Sequence, residues 1–201
     1  MTRVRLRTVV LAGLTGVLAL GGCTWTPSTT VFSVESVGSP SVLTPNLPFG
    51  VYVSSDANTA DLYLTDLPLE RLADAKDPLA ELSGTIVHVH MFLVPSAGRT
   101  PIDPTACNAS IRQAILSSGA VGIYSGGGFF YPSDSTGARE FGGQLVQGTL
   151  RLSRATANFD DLLGPARASG SLRTTLDEPA TAAIAARMES LVRATPALPT
   201  P

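Results

Sequence analysis

The stretch GTIVHVHMFLV, residues 84–94, alternates with a period of two and is apolar on both resulting faces. As a strand it sends Ile86, His88, His90, Phe92 and Val94 one way and Val87, Val89, Met91 and Leu93 the other, because successive side chains leave opposite sides of the backbone. A strand that is apolar on both sides must be covered on both sides. The chain therefore needs a fold in which this segment is central, with a second layer on each face.

The neighbouring sequence supplies partners of the same kind. FGVYVSS and ADLYLTD flank DANT, a hairpin signature with Asp56 and Asn58 in the turn. SIRQAIL, AVGIY, QLVQGTLRLS and SGSLRTTL read as further strands, and in the third Val146, Leu150 and Leu152 are expected inward, with Gln147, Thr149, Arg151 and Ser153 outward. Turn signals at Ser118-Gly119, Pro132 to Gly137 and Gly164-Pro165 separate them. One helix follows, with Asp177 as N-cap, Pro179 in the first turn, and Ala180, Ile184, Met188 and Leu191 at helical spacing up to Arg193. NFDDLLG and LERLADA each predict a short helical turn, and in the first Asp160 and Asp161 would serve the helix dipole. The class this predicts is mainly β: an antiparallel sandwich or barrel with one C-terminal helix packed on it.

The start of the chain has a different character. Arg3, Arg5 and Arg7 precede an uncharged run from Thr8 to Gly22. At about 1.5 Å per residue that run reaches about 22 Å, short of the roughly 30 Å hydrocarbon core of a bilayer. A basic start and a short apolar run are the n- and h-regions of a signal peptide. The run closes with Leu20-Gly21-Gly22-Cys23, which resembles the lipobox of bacterial lipoproteins. The resemblance implies cleavage before Cys23, a diacylglycerol on its thiol and acylation of the new amine. Two acyl chains anchor stably where one does not. The resulting expectation is a cell-envelope protein attached to the membrane without spanning it, with the outer membrane favoured in a diderm because Thr24, not Asp, follows the cysteine, and the outer face of the cell membrane otherwise.

The boundaries expected are a cleaved peptide over 1–22, a lipidated Cys23 and a Pro/Ser/Thr-rich tether over 23–48, within which only TTVFSVESV alternates well enough to offer a strand, a β-rich domain over 49–194 and a disordered tail over 195–201. Loss of three arginines with the peptide would take the formal charge from −2 to about −5. Such a balance argues against a nucleic-acid partner, which needs lysines and arginines for its phosphates. Lipidation of Cys23 would leave Cys107 without an intramolecular disulfide partner. No His, Lys or Arg lies within four residues of Cys107 to activate it, so a structural thiol is expected.

His88 and His90, the two histidines of the chain, sit at i and i+2 of the doubly apolar strand and so leave the same face about 7 Å apart. That spacing lets two imidazoles converge on zinc or copper, with further ligands from carboxylates such as Asp103 or Asp134, or from Cys107. The alternative is that hydrogen bonds inside the sheet satisfy the rings. The sequence His88-Val89-His90-Met91-Phe92 resembles the metal-ligand strand of the copper-zinc superoxide dismutases. Their later Gly-Gly-His-x-Asp-Pro stretch is matched by GGGFFYPSDSTG only in outline: Phe129 stands for the bridging His and Tyr131 for the Asp. Cupins would require an acid three or four residues past the second His, where Leu93 and Val94 stand, and a third His.

Gly126 to Gly128, followed by Phe129, Phe130 and Tyr131, does not form a phosphate loop, which would need Gly-Lys before a helix. The glycines are expected to allow a bulge or turn and the aromatics to fill the core. Alternatively Tyr124, Phe129, Phe130 and Tyr131 form an exposed loop for a ligand or partner such as an envelope protein or glycan. No Gly-x-Ser-x-Gly, His-Glu-x-x-His, Cys-x-x-Cys or calcium-loop signature occurs. The sequence thus favours a non-catalytic binding or scaffolding lipoprotein without cofactor, with a metal-binding or redox protein using His88 and His90 as the alternative.

Overall fold

The computed structural model describes residues 30–73, 81–95 and 107–199. Cys23, the segment before it, Lys76 and Asp103 lie outside the described residues. In chain order the elements are β1 (Val31–Ser36), β2 (Val42–Leu43), β3 (Phe49–Ser54), β4 (Ala60–Thr65), α1 (Leu69–Ala73), β5 (Gly84–Met91), β6 (Ala109–Ser117), β7 (Ala120–Pro132), β8 (Glu140–Ala155), β9 (Ala166–Leu176) and α2 (Glu178–Ala194).

The strands form one sheet that closes on itself. Antiparallel neighbours run from β3 through β4, β5, β6, β7 and β8 to β9. The ring shuts where β9 meets β3 in the sheet's one parallel contact, Val51 opposite Thr175 and Tyr52 opposite Leu176. Strand β1 pairs with the first half of β9 and carries β2 on its far edge. Mainly β, antiparallel and helix-capped was the expectation, and closure removes the edges that an open sheet would expose.

Strand β5 shows why the barrel needs an outer layer. Val87, Val89 and Met91 lie in the interior with Leu62, Leu64, Ile111 and Phe130. Ile86 belongs to the second cluster, on the outside, where Ile184, Met188 and Leu191 of α2 cover Val51, Tyr63, Ala114 and Ile123. Burial of each of those three helix side chains contributes about 1.5–3 kcal/mol. Asp177 caps the helix as its sequence predicts, accepting from Ala180 N at 2.9 Å. The double coverage ends with the strand: Phe92 and Leu93 are exposed.

Two boundaries and the phase of one strand differ from the sequence expectation. The proposed tether over 23–48 ends earlier, because Phe32 and Val34 are buried in the barrel interior and Leu47 joins them. Their alternation in VFSVES survives among flanking prolines and serines that carry no such pattern. The tail expected from 195 is held through Leu198: Thr195 is buried, and Leu198 N donates to Ser153 O at 3.0 Å. On β8 the inward residue is Leu145, with Val146 only half-buried. A bulge between Leu145 and Gly148, with Gln147 at φ 52, inserts an extra residue and flips the phase, so Phe141 and Leu145 before it and Leu150 after it all face inward.

The glycine-rich run is strand, not loop. A Cβ on Gly126 would lie 1.7 Å from Thr149 O, so side chains are excluded where β7 crosses β8 near its bulge.

Candidate functional site

Interior side chains do not fill the barrel evenly. Register places Tyr52, Phe130 and Phe141 together at the end where β7 finishes and β8 begins; the Tyr52 and Phe141 rings stack at 5.0 Å, and Phe130 lies 6.1 Å from Phe141. Asn108 locks this end, donating to Leu93 O and Phe130 O and accepting from Phe130 N at 2.7–2.8 Å. At the opposite end, beside the β6–β7 hairpin, a cavity of about 660 Å³ remains. Its size lies within the roughly 300–1,000 Å³ of small-molecule sites, and barrel mouths are a usual place for them.

The wall on one side is Val42 and Leu43 of β2, and on the other Ile115, Ala120 and Tyr124 of the β6–β7 hairpin. The cover is the loop between β8 and β9, through Phe159, Leu162 and Leu163. Ser41, Ser117, Asn158 and Asp160 add polar atoms. The lip is apolar: Leu162 is 69% and Val42 59% exposed.

Sequence explains how the loop is held. Gly122 leaves room for the Phe159 ring, since a Cβ there would sit 2.2 Å from it. That ring meets Tyr124 edge-on at 6.4 Å and 69°. Tyr124 Oη donates to Asp161 Oδ1 at 2.5 Å, and the same oxygen accepts from Leu163 N at 3.1 Å and Gly164 N at 2.8 Å. Burial, then the hydrogen bond and negative charge of Asp161, push the Tyr124 hydroxyl well above the usual tyrosine range. NFDDLLG is therefore a turn ordered by Asp161, not the short helix its composition predicts. Of the aromatics grouped in the sequence reading, Tyr124 and Phe130 are buried in the interior, Phe129 is half-buried and Tyr131 exposed. They alternate along β7 and do not form a contact loop.

The histidines lie on the outer face of β5, on the side that α2 partly covers. His88 Nε2 and His90 Nδ1 approach the same oxygen, Asp61 Oδ1, at 2.8 and 2.9 Å. An ionised carboxylate only accepts, so both nitrogens carry the proton and the tautomers are set. Tyr63 stacks flat on His88, with centroids 4.3 Å apart. Burial raises the Asp61 carboxyl, but the hydrogen bonds and charge of His88 and His90 outweigh it and hold the group below its ordinary value. Asp61 is the partner that spacing alone could not identify: β4–β5 register sets it opposite His90. Of the ligands the sequence suggested, Asp134 pairs with Arg173 at 2.8 Å and Cys107 is exposed. Among the described residues no group of three or more His, Cys, Asp and Glu has the arrangement of a metal site.

The chain matches no protein-family model, no curated protein and no solved structure.

Proposed function

We propose that this chain is a cell-envelope lipoprotein, anchored through acyl chains on Cys23, whose barrel binds a small apolar molecule without transforming it. The observation that carries the reading is the cavity of about 660 Å³ between β2, the β6–β7 hairpin and the β8–β9 loop, with its apolar wall and lip. The anchor rests on the Leu20 to Cys23 lipobox and the short apolar run before it. Binding in the cavity is preferred to contact through an aromatic loop, the alternative offered by the sequence, because Tyr124 and Phe130 are buried and only Tyr131 is exposed.

The test is titration of the mature chain, Cys23→Ser and free of residues 1–22, with the neutral fluorophore N-phenylnaphthylamine. Saturable one-to-one fluorescence that is lost in Ile115→Trp, which fills the cavity, supports the reading. Equal binding by both chains, or none by the folded wild type, refutes it. Anchoring is tested separately: full-length Cys23→Ser should leave the membrane fraction.

A second reading has one observation in its favour, the convergence of His88 Nε2 and His90 Nδ1 on one oxygen of Asp61. Zinc or copper would require both rings to change tautomer, the proton moving to His88 Nδ1 and His90 Nε2, so that His88 Nε2 and His90 Nδ1 become ligands with Asp61 Oδ1 close by and the remaining positions left to water. Stoichiometric metal in the purified protein, absent from the His88→Ala/His90→Ala double variant, would establish it.

A further inference from the structure

The lining of the cavity is graded in polarity. Its buried members are Ala120, Tyr124 and Leu163, and Leu43, Ile115 and Phe159 are half-buried. The one hydroxyl among these six, on Tyr124, donates to Asp161. The polar side chains stand where the cavity opens to water: Ser117, Asn158 and Asp160 are exposed, next to the exposed Val42 and Leu162. A hydrocarbon gains by leaving water for the apolar part of such a lining, whereas a polar head taken there would lose its hydration without a partner. The gradient therefore suits an amphiphile that enters tail first and keeps its head at the mouth.

Charge selects the head. Asp160 is the one charged residue of the lining, and among the described residues no hydrogen bond or ion pair engages it. Asp161 beside it adds a second carboxylate to the same loop. The cations nearest in sequence on either side are Arg154 and Arg167. Arg154 stands opposite Ile123 of the outer cluster and donates to Thr195 O at 2.8 Å. Arg167 lies between the inward-facing Ala166 and Ala168 and so points out of the barrel. An anionic head would meet like charge at the mouth and no counter-ion in the lining, while a cationic one would find Asp160 open to it.

We infer that the ligand is a single-chain amphiphile with a cationic head, a long-chain amine in its ammonium form, whose tail lies against Ile115, Phe159 and Leu163 and whose head pairs with Asp160 at the mouth. This rests on the cavity being the binding site and adds a charged head to the apolar ligand read there. An ammonium has three donors, so Asn158 and Ser117 can accept from it beside the carboxylate. The pair is exposed to solvent, and its worth is correspondingly modest and sensitive to salt.

The experiment is displacement of N-phenylnaphthylamine from the mature chain by decylammonium, decanol and decanoate at pH 7. Wild type should prefer decylammonium about threefold over decanol and about tenfold over decanoate at low salt. Asp160→Asn, which keeps the size of the side chain and removes its charge, should bring decylammonium and decanol level. Raising salt from about 0.02 to about 0.5 M should do the same in wild type, because it shortens the screening length to a few ångström. Equal displacement by decylammonium and decanol in wild type overturns the assignment of the head while leaving the cavity as a binding site. A preference that persists in Asp160→Asn overturns it too, and one that salt does not weaken overturns the tail-first orientation by placing the head out of water. A fluorophore that never binds, or that binds Ile115→Trp equally, overturns the cavity reading and this inference together.

Discussion

Removing one oxygen atom, in Tyr124→Phe, tests whether the cover of the cavity is held by the bond to Asp161. The ring stays buried, so hydrophobic burial and the edge contact with Phe159 are unchanged. What is lost is a hydroxyl donor to a carboxylate at 2.5 Å. Hydrogen bonds to charged groups contribute about 1.5–3 kcal/mol, and exposure of Asp161 brings the expected loss down to about 1 kcal/mol. For a domain of this length that lowers Tm by about 2–4 °C. Asp161→Ala should cost more, because it also strands Leu163 N and Gly164 N. The effect has a pH signature. The folded-state pKa of Tyr124 is raised above its unfolded value of about 10, so its contribution is complete below pH 10 and is lost as pH rises toward the folded value. Urea unfolding followed by far-UV circular dichroism should therefore show Tyr124→Phe less stable than wild type at pH 7, with the gap closing above pH 10. Equal stability at pH 7, or a gap that stays constant to pH 11, would refute the argument.

On the opposite face, Asp61→Asn should cost about 1 kcal/mol at pH 7, since the carboxylate is 34% exposed and surface ion pairs are worth little. Because its pKa is lowered in the fold, the wild-type advantage should be present above about pH 3.8 and fade as pH falls below it, which acid unfolding curves would resolve. Nitrogen chemical shifts should show protonated His88 Nε2 and His90 Nδ1 in wild type at neutral pH, and a change in both rings in Asp61→Asn. Gly126→Ala should destabilise by about 3 kcal/mol or more, because the new methyl meets backbone at 1.7 Å, whereas Gly38→Ala, with nothing within 4 Å, should stay within about 0.5 kcal/mol; denaturant midpoints compare the two.

The strands were legible because burial on a pleated surface imposes a period of two, and β5 announced its central place by being apolar on both faces. The hairpin at Asp56 was legible for a local reason, the aspartate that accepts from Asn58 N and Thr59 N at 2.7 and 2.8 Å. Phase on β8 was not, since one inserted residue at Gln147 reverses every side chain beyond it and leaves the composition untouched. Nor was the site. Val42, Ile115, Tyr124 and Leu163 meet only because β9 returns across the sheet to close the ring. Gln113 was hidden too: in SIRQAIL a glutamine at an inward position reads as a break in the pattern, and only the closed barrel shows it buried with no hydrogen-bond partner among the described residues.

Filling one end with Tyr52, Phe130 and Phe141 and leaving the other open gives the barrel a direction, and the first described residue lies near the filled end. Thr30 Oγ1 donates to Arg173 O and accepts from Arg173 N, both at 3.2 Å, seven residues along β9 from Ala166 at the open end. If Cys23 carries acyl chains, the seven residues from Cys23 to Thr30 span about 25 Å at full extension. A relaxed tether then sets the aromatic plug toward the bilayer and the cavity away from it. Turning the mouth onto its own membrane would draw the tether out against its entropy. A barrel held this way would present the cavity's apolar lip, Leu162 and Val42, to molecules arriving from the aqueous side.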